Sequence, residues 1–399
     1  MNKVFSAAIL STCLFWTVTA HAQFGPETVP FIPDKAISAP LRIDYQGPII
    51  EVLINEKPAR LLYDSGASRL SLFEQSFPEL SSDDNPRYEA PVFGGDELST
   101  FEEAEAVTLQ WGDTEIYRPF VDIVNYEKLI PAGGDAPFFE GVLPPLVVKN
   151  KKHESIVIFD APNQQVKHLA PGEKIKFAKP IKFDFRLENG WEWRVKLPIK
   201  LEGETKPRWL DLIVDTGASS ALMLNRESLK LKDIKRGFET HARGLGGSSI
   251  STYGGRSELI LKKKSVLIDT EIVDSLPIGK DADGLIGWLA LKRFRTAFDF
   301  NKGRMTFDLE GGDFEDDKIR PPRINAAGFP MPDWRGMKIV DGGRWGSAGL
   351  KPGDILLSVD GVELSETAMY SVVKGARDHP YICWSRAGVS PKQCGQVVK

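Results

Sequence analysis

The 399-residue sequence has few residues of the kinds that bind metals, with only five histidines and three cysteines. Four of the histidines lie beyond residue 22 and show no metal-ligand spacing; they are His153, His168, His241 and His379. No Ser-His-Asp set for nucleophilic catalysis is recognisable, and the glycine pairs lack the pattern of a phosphate-binding loop. We therefore expect no metal and no cofactor.

The sequence also lacks an excess of charge of one sign. Its 51 basic and 55 acidic residues give a net charge of −4, so no global field attracts nucleic acid or anionic lipid. Beyond the N-terminus, no stretch reaches the roughly 20 apolar residues that a membrane-spanning helix needs. The composition thus predicts neither a nucleic-acid partner nor a membrane span.

The first 22 residues are typical of a signal peptide. Lys3 supplies a positive charge, residues 4–18 are mostly apolar, and AHA at 20–22 matches a small-x-small cleavage pattern. We expect cleavage after Ala22 and export to the periplasm, with secretion as the alternative. LSTC at 10–13 faintly resembles a lipoprotein box, but the apolar run continues past it.

Removal of this segment leaves two cysteines, Cys383 and Cys394. An even pair in an exported protein predicts one disulfide that closes a short C-terminal loop. Two free thiols are the alternative.

One motif occurs twice, as LLYDSGAS at 61–68 and LIVDTGAS at 212–219. Each aspartate, Asp64 and Asp215, follows an apolar run and is expected at the end of a buried strand. Apolar and polar residues alternate upstream of each motif, which predicts half-buried strands. Glycine at the second position after each aspartate permits a tight turn.

The flanks of the motif repeat in the same order. Each copy continues with a glycine pair, Gly94-Gly95 or Gly246-Gly247, and then an acidic-Gly-apolar-apolar segment at 140–143 or 283–286. A strand and a turn close each copy. The matched order predicts two β-rich units at 38–170 and 180–310.

Two such units related by a pseudo-dyad would place Asp64 and Asp215 face to face. Two carboxylates that lie so close cannot both ionise cheaply, so they share one proton. One carboxyl can then activate a water molecule while the other polarises a carbonyl group. The sequence predicts hydrolytic chemistry that requires neither a metal nor a covalent intermediate.

The neighbours of the two aspartates have predicted supporting roles. The hydroxyls of Ser65 and Thr216 can bond the facing backbone, and Gly66 and Gly217 bring backbone N–H groups close to the carboxylates. The two glycine pairs are candidates for hairpin flaps that close over a substrate.

These motifs, together with DGLIG at 283–287, resemble the pepsin–retropepsin superfamily, and more closely its retroviral-like bacterial members. The resemblance implies a mostly β, bilobal acid-protease fold built from two tandem lobes. It further implies an aspartic endopeptidase that holds an extended peptide or protein substrate in a cleft between the lobes. With both half-sites in one chain, we expect a monomer. A non-catalytic peptide-binding protein that retains this fold is the alternative.

The sequence departs from the family pattern at three positions. Pro144 stands where the second copy has Gly287, which predicts an altered strand crossing in the first copy. Ala67 and Ala218 stand where pepsin-like enzymes usually carry a hydroxyl that lowers the carboxylate pKa. We therefore expect activity to extend toward neutral pH.

Residues 311–324 have the composition of a linker, and residues 325–399 form a third predicted unit. GSAGLKPGDIL at 346–356, followed by VDG at 359–361, resembles a bacterial PDZ domain. The resemblance implies a small α+β domain that accepts a peptide as an added strand, with Gly328 and Phe329 as the candidate peptide loop. A packing module without a ligand is the alternative.

Overall fold

The computed structural model describes residues 36–44, 47–91, 98–118, 120–125, 139–145, 156–170, 172–188, 192–218, 220–230, 239–243, 249–274, 276, 281–315, 327–330, 337–341, 343–351, 354–364, 380–386 and 389–397. Within these ranges the protein is mostly β and contains several sheets, as the sequence predicts. The predicted signal peptide at 1–22 lies outside them. None of the helices in these ranges has the length and apolarity needed to cross a membrane.

The first sequence repeat forms a run of short strands. They are β1 (Ile37–Pro40), β2 (Arg42–Asp44), β3 (Gly47–Ile54), β4 (Lys57–Tyr63), β5 (Ser71–Phe73), β6 (Arg87–Pro91), β7 (Leu98–Ala104), β8 (Val107–Trp111), β9 (Thr114–Arg118), β10 (Val121–Val124), β11 (Gly141–Leu143), β12 (Ile156–Asp160) and β13 (Gln165–Leu169), with 3-10 turns at Pro78–Leu80 and Ala161–Asn163. One sheet has the order β6-β7-β10-β5-β11-β4-β3-β8-β9, and β2 pairs with β3.

The second repeat forms fewer and longer strands. They are β14 (Pro180–Glu188), β15 (Glu192–Leu201), β16 (Arg208–Asp215), β17 (Leu222–Asn225), β18 (Glu239–Arg243), β19 (Ser249–Leu261), β20 (Lys264–Val273), β21 (Gly284–Gly287), β22 (Arg295–Asp299) and β23 (Arg304–Asp308), with the short helices α1 (Arg226–Leu229) and α2 (Trp288–Leu291).

The two repeats share one pattern of strand pairing. In the first copy, β4 runs parallel to β11, β11 antiparallel to β5, and β5 parallel to β10. In the second copy, β16, β21, β17 and β20 pair in the same order and with the same directions. The repeat in the sequence is therefore also a repeat of topology. In the second copy, the long strand β19 corresponds to β7 and β8 of the first copy, and the long strand β20 corresponds to β9 and β10.

A further run of strands, in the order β1-β13-β12-β22-β23-β14, joins the copies. Its centre is the antiparallel pair β12 and β22, in which Ile158 faces Ala297. Each copy contributes three strands to this run. Counted from the central pair outward, they are β12, β13 and β1 in the first copy and β22, β23 and β14 in the second. Because the two halves share backbone hydrogen bonds, the copies are held in a fixed relation to each other.

The acidic-Gly segments shape the strands that precede the two aspartates. The Glu140 carboxylate accepts a hydrogen bond from the Arg60 backbone N–H at 2.6 Å, and Asp283 accepts one from the Asp211 backbone N–H at 2.9 Å. The glycine that follows each acid is required by space. A Cβ on Gly284 would overlap the carbonyl oxygen of Met223 on the adjacent strand.

The copies differ at the position where Pro144 replaces glycine. Strand β21 continues to Gly287, which pairs with Asp215, whereas β11 ends at Leu143. A Cβ on Gly287 would overlap the carbonyl oxygen of Ser220. The crossing is therefore altered in the first copy, as the proline predicts.

The C-terminal residues form a separate sheet of the order β24-β25-β26-β28-β29, and β27 pairs with β26. Its elements are β24 (Ala327–Pro330), β25 (Met337–Asp341), β26 (Ile355–Val359), β27 (Val362–Glu363), β28 (Tyr381–Arg386) and β29 (Val389–Gln396), with a 3-10 turn at Gly343–Ala348. The predicted disulfide is confirmed: Cys383 on β28 is bonded to Cys394, its cross-strand partner on β29.

The candidate peptide loop of this region lies in a strand. Gly328 and Phe329 belong to β24 and pair with Ile339 and Lys338 of β25. Their predicted role in peptide binding remains a prediction, as does the α+β domain itself.

Substitution of Gly284 by alanine should destabilise the protein because its Cβ collides with rigid backbone. We expect Gly284→Ala to lower the free energy of unfolding by about 2 kcal/mol or more. Gly255→Ala is the matched control in the same copy, because the nearest atom to a Cβ there lies 3.9 Å away. Urea unfolding measures both, and equal losses would contradict the steric argument.

Candidate active site

The fold brings Asp64 and Asp215 together at the ends of equivalent strands. Asp64 directly follows β4 and Asp215 is the last residue of β16. Their carboxyl groups are hydrogen-bonded to each other. A Cβ on Gly66 would lie 2.9 Å from Asp215 Oδ1, and one on Gly217 would overlap the Asp64 carboxyl. Each turn thus passes directly over the carboxyl of the other copy.

Backbone donors hold both carboxyls in place. Asp64 Oδ1 accepts hydrogen bonds from the N–H of Gly66 at 2.7 Å and of Gly217 at 3.1 Å. Asp215 Oδ1 accepts one from the N–H of Ala218 at 3.0 Å. Donors from both copies therefore reach Asp64.

Ser65 and Thr216 lock the two turns together by reciprocal hydrogen bonds. The Ser65 N–H donates to Thr216 Oγ1 at 2.9 Å, and the Thr216 N–H donates to Ser65 Oγ at 3.0 Å. The Ser65 hydroxyl donates to the Val214 carbonyl at 2.8 Å, and the Thr216 hydroxyl donates to the Tyr63 carbonyl at 2.7 Å. Both side chains are almost fully buried. These four bonds satisfy the backbone N–H groups and the hydroxyls of both residues, so the two hydroxyls brace the dyad.

The surroundings raise the pKa of both carboxyl groups. Burial raises the pKa of Asp64 above its usual range, and the hydrogen bonds from Gly66, Asp215 and Gly217 partly oppose that rise. Burial, the negative charge of Asp64 and the hydrogen bond with Asp64 together raise the pKa of Asp215 well above its usual range. The pair therefore retains one proton where isolated carboxyls would have lost both.

The predicted flap glycines Gly94, Gly95, Gly246 and Gly247 lie outside the described residues. The strands on either side of each pair are antiparallel partners. Pro91 of β6 faces Leu98 of β7, and Arg243 of β18 faces Ser249 of β19. A role of these glycines as flaps stays a prediction.

A charged cluster beside the first turn was not predicted from the sequence. Arg69 forms ion pairs with Glu103 at 2.7 Å and with the buried Asp122 at 3.2 Å. Its guanidinium also lies 5.6 Å from the ring centroid of Tyr88 on β6. The cluster therefore links Tyr88 of the first hairpin to the active-site turn. The sequence signal was the acid inside the apolar run VDIV at 121–124.

A second unpredicted group lies behind Asp64. The Tyr63 hydroxyl is hydrogen-bonded to Nε2 of the buried His168, and the rings of Trp111 and Phe159 pack against that of Tyr63 at centroid distances of 5.4 and 5.6 Å. Burial lowers the pKa of His168 to about 3. This histidine is therefore neutral in the folded protein at ordinary pH.

Within the described ranges, no cluster of three or more His, Cys, Asp or Glu side chains is arranged to hold a metal ion. No protein-family model matches the chain, and no curated protein matches its sequence. The geometry and chemistry of the site are thus the basis for the functional assignment below.

Replacement of Thr216 by valine should weaken the lock while preserving its shape. Thr216→Val leaves the Ser65 N–H and the Tyr63 carbonyl buried without their partner, so we expect a loss of about 3 kcal/mol in the free energy of unfolding. Thr296→Val is the matched control, because its buried hydroxyl makes only bonds of 3.4 and 3.5 Å. It should cost less than about 1 kcal/mol. Similar urea midpoints for the two variants would argue against the lock.

His168 should make the folded protein sensitive to acid. Its pKa is lower in the folded state than in the unfolded chain, so its contribution is complete above about pH 6.5 and falls as the pH drops toward 3. Between pH 6.5 and 4, we expect the wild type to lose about 3 kcal/mol more stability than His168→Gln. Glutamine can still bond Tyr63 but takes up no proton. Parallel pH profiles in urea unfolding would refute this assignment.

Proposed function

We propose that the chain is an aspartic endopeptidase that hydrolyses peptide bonds with a water molecule activated by Asp64 and Asp215. The observation that carries the proposal is the contact of two half-buried carboxyl groups, one from each copy, whose pKa values are both raised. A carboxyl group with only a structural role gains nothing from a second carboxyl beside it, because the two negative charges repel each other.

The two carboxyls have unequal surroundings, which favours distinct roles. Asp64 accepts two backbone N–H bonds, which stabilise its ionised form. Asp215 has the more strongly raised pKa and keeps the proton. In the proposed reaction, Asp64 takes a proton from water and the resulting hydroxide attacks the carbonyl carbon of the substrate. Asp215 protonates the carbonyl oxygen.

Collapse of the resulting gem-diol completes the reaction. A proton passes from Asp64 to the amide nitrogen, the C–N bond breaks, and a proton from the gem-diol returns to Asp215. The products are a carboxylic acid and an amine, and the dyad regains its starting state. Water is the only co-reactant.

The proposal includes the bilobal pepsin–retropepsin fold, with lobes at 38–170 and 180–310 and a linker at 311–324. Support comes from the repeated strand pairing and from the three-plus-three strands that join the copies. We further propose an exported monomer that holds an extended peptide between the lobes, and a PDZ-like unit at 325–399 that recognises substrate or partner peptides.

The test is proteolysis of denatured casein across pH 3 to 8, with fragments identified by mass spectrometry. Asp64→Asn and Asp215→Asn should each lower the rate by at least about 1000-fold while the protein stays folded. Asp113→Asn, an exposed carboxylate in the turn after β8, is the charge-matched control and should retain full activity. Because both pKa values are raised, we expect activity that extends toward neutral pH.

A wild-type protein that is folded but cleaves nothing at any pH would overturn the enzymatic proposal. It would favour the alternative, a peptide-binding protein that retains the fold. Cleavage confined to strongly acidic pH would leave the dyad in place but contradict the argument from Ala67 and Ala218.

A further inference from the structure

The two copies carry a buried acid at equivalent positions beside the dyad. In the first copy, a row of directly paired residues crosses the sheet through Leu62, Val142, Ser71, Asp122 and Glu103. In the second copy, the corresponding row runs through Ile213, Leu285, Met223, Glu271 and Gly254. Asp122 and Glu271 thus occupy the same place in the repeated topology.

Both rows lie on the sheet face that presents the dyad. Directly paired residues point to the same side of a sheet, and so do residues two apart on one strand. Ile213 precedes Asp215 by two, so the second row shares the face of Asp215. Glu271 lies three strands from Ile213, or about 14 Å at the usual strand spacing. An extended peptide on the dyad can reach it with a side chain a few residues from the scissile bond.

The acid of the first copy faces a cation from its own copy. Asp122 forms an ion pair with Arg69 at 3.2 Å, which partly opposes the rise of its pKa to about 6 on burial. Arg69 also bonds Glu103, the next residue in the row.

The acid of the second copy lacks these partners. The turn after Asp215 has Ser220 and Ala221 where the first copy has Arg69, and Gly254 stands opposite Glu271 where Glu103 stands opposite Asp122. Oε2 of Glu271 is buried without a hydrogen-bond partner in the part of the chain that the structure describes. Burial raises the pKa of Glu271 to about 7, and the charge of a second carboxylate, Asp269, adds to this rise. A carboxyl in this state is stabilised by any cation that reaches it.

We propose that Glu271 is a specificity residue that binds a basic side chain of the substrate peptide, in the position that Arg69 fills in the first copy. The inference rests on the proposed function for its substrate class. Glu271 is half-buried as a residue, and its enclosed Oε2 is the atom that the substrate cation would pair with. Gly254, which stands directly opposite Glu271 on β19, carries no side chain. The first copy holds its own cation, so the preference applies to one side of the scissile bond.

The test measures binding and does not depend on turnover. Fluorescein-labelled octapeptides of alanine and leucine carry one arginine at each position in turn, and each has a twin with citrulline, the uncharged isostere. Binding to full-length Asp215→Asn protein is followed by fluorescence anisotropy. At one register, or at two adjacent ones, the arginine peptide should bind about 10-fold more tightly than its citrulline twin.

The substitution Glu271→Gln in the same background should reduce this preference to less than about twofold. It preserves the side-chain volume and removes a buried charge, so we expect the variant to fold. Glu258→Gln is the matched control on the neighbouring strand, since Glu258 is paired with Lys200, and it should retain the preference. Equal binding of arginine and citrulline peptides at every position would overturn the proposal, as would a preference that survives Glu271→Gln.

The outcome is distinguishable from that of the proteolysis experiment. A wild type that cleaves casein but shows no arginine preference contradicts only this inference. A protein that prefers arginine through Glu271 but cleaves nothing contradicts only the enzymatic proposal.

Discussion

The central constraint on this molecule is that two acidic side chains from separate halves of the chain must meet where they are only partly exposed to solvent. Like charges at such a distance repel strongly, so the contact persists only if a proton is shared and the backbone on both sides is held rigidly. The lock of Ser65 and Thr216 meets the second requirement, because each hydroxyl satisfies groups of the opposite turn. The strands β12 and β22 supply the wider frame that keeps the turns opposed.

The sequence was informative where a residue's role is local. Asp64, Asp215 and the hydroxyls beside them could be placed from a motif of eight residues, because a strand end, a tight turn and a buried polar group leave clear marks in the sequence. The disulfide could also be predicted, because Cys383 and Cys394 are the two cysteines beyond the predicted signal peptide and allow only one intramolecular pairing. Even the altered crossing at Pro144 followed from the missing N–H and the fixed φ of proline.

The sequence was uninformative where a role depends on which strands become neighbours. Glu271 stands in the run SVLIDTEIV at 265–273, where it is in phase with Ser265 and Asp269 and is expected to face solvent. Only the pairing of β20 with β17 and β19 shows that this acid lies on the dyad face. The same holds for His168, whose burial against Tyr63 joins residues 105 positions apart.

Duplication within one chain allows the halves of such a site to diverge. A symmetric pair of identical subunits would carry the same side chains on both sides of a bound peptide. Among the residues that the structure describes, Asp122 forms an ion pair with Arg69, whereas Oε2 of Glu271 has no hydrogen-bond partner. Tyr63 with its histidine partner stands where the second copy has Val214. The two sides can therefore select different side chains while the dyad and its lock keep their symmetry.

The dyad and His168 make the stability of the fold depend on pH in opposite directions. The raised pKa values of Asp64 and Asp215 mean that their contribution to stability is present at low pH and is lost as the pH rises through the folded-state values. His168 acts in the opposite sense, because its lowered pKa makes the fold lose stability as the pH falls below that of a free histidine. The dyad favours acid and the histidine behind it opposes acid. The fold is therefore expected to be most stable between these two limits, which is consistent with the proposed activity toward neutral pH.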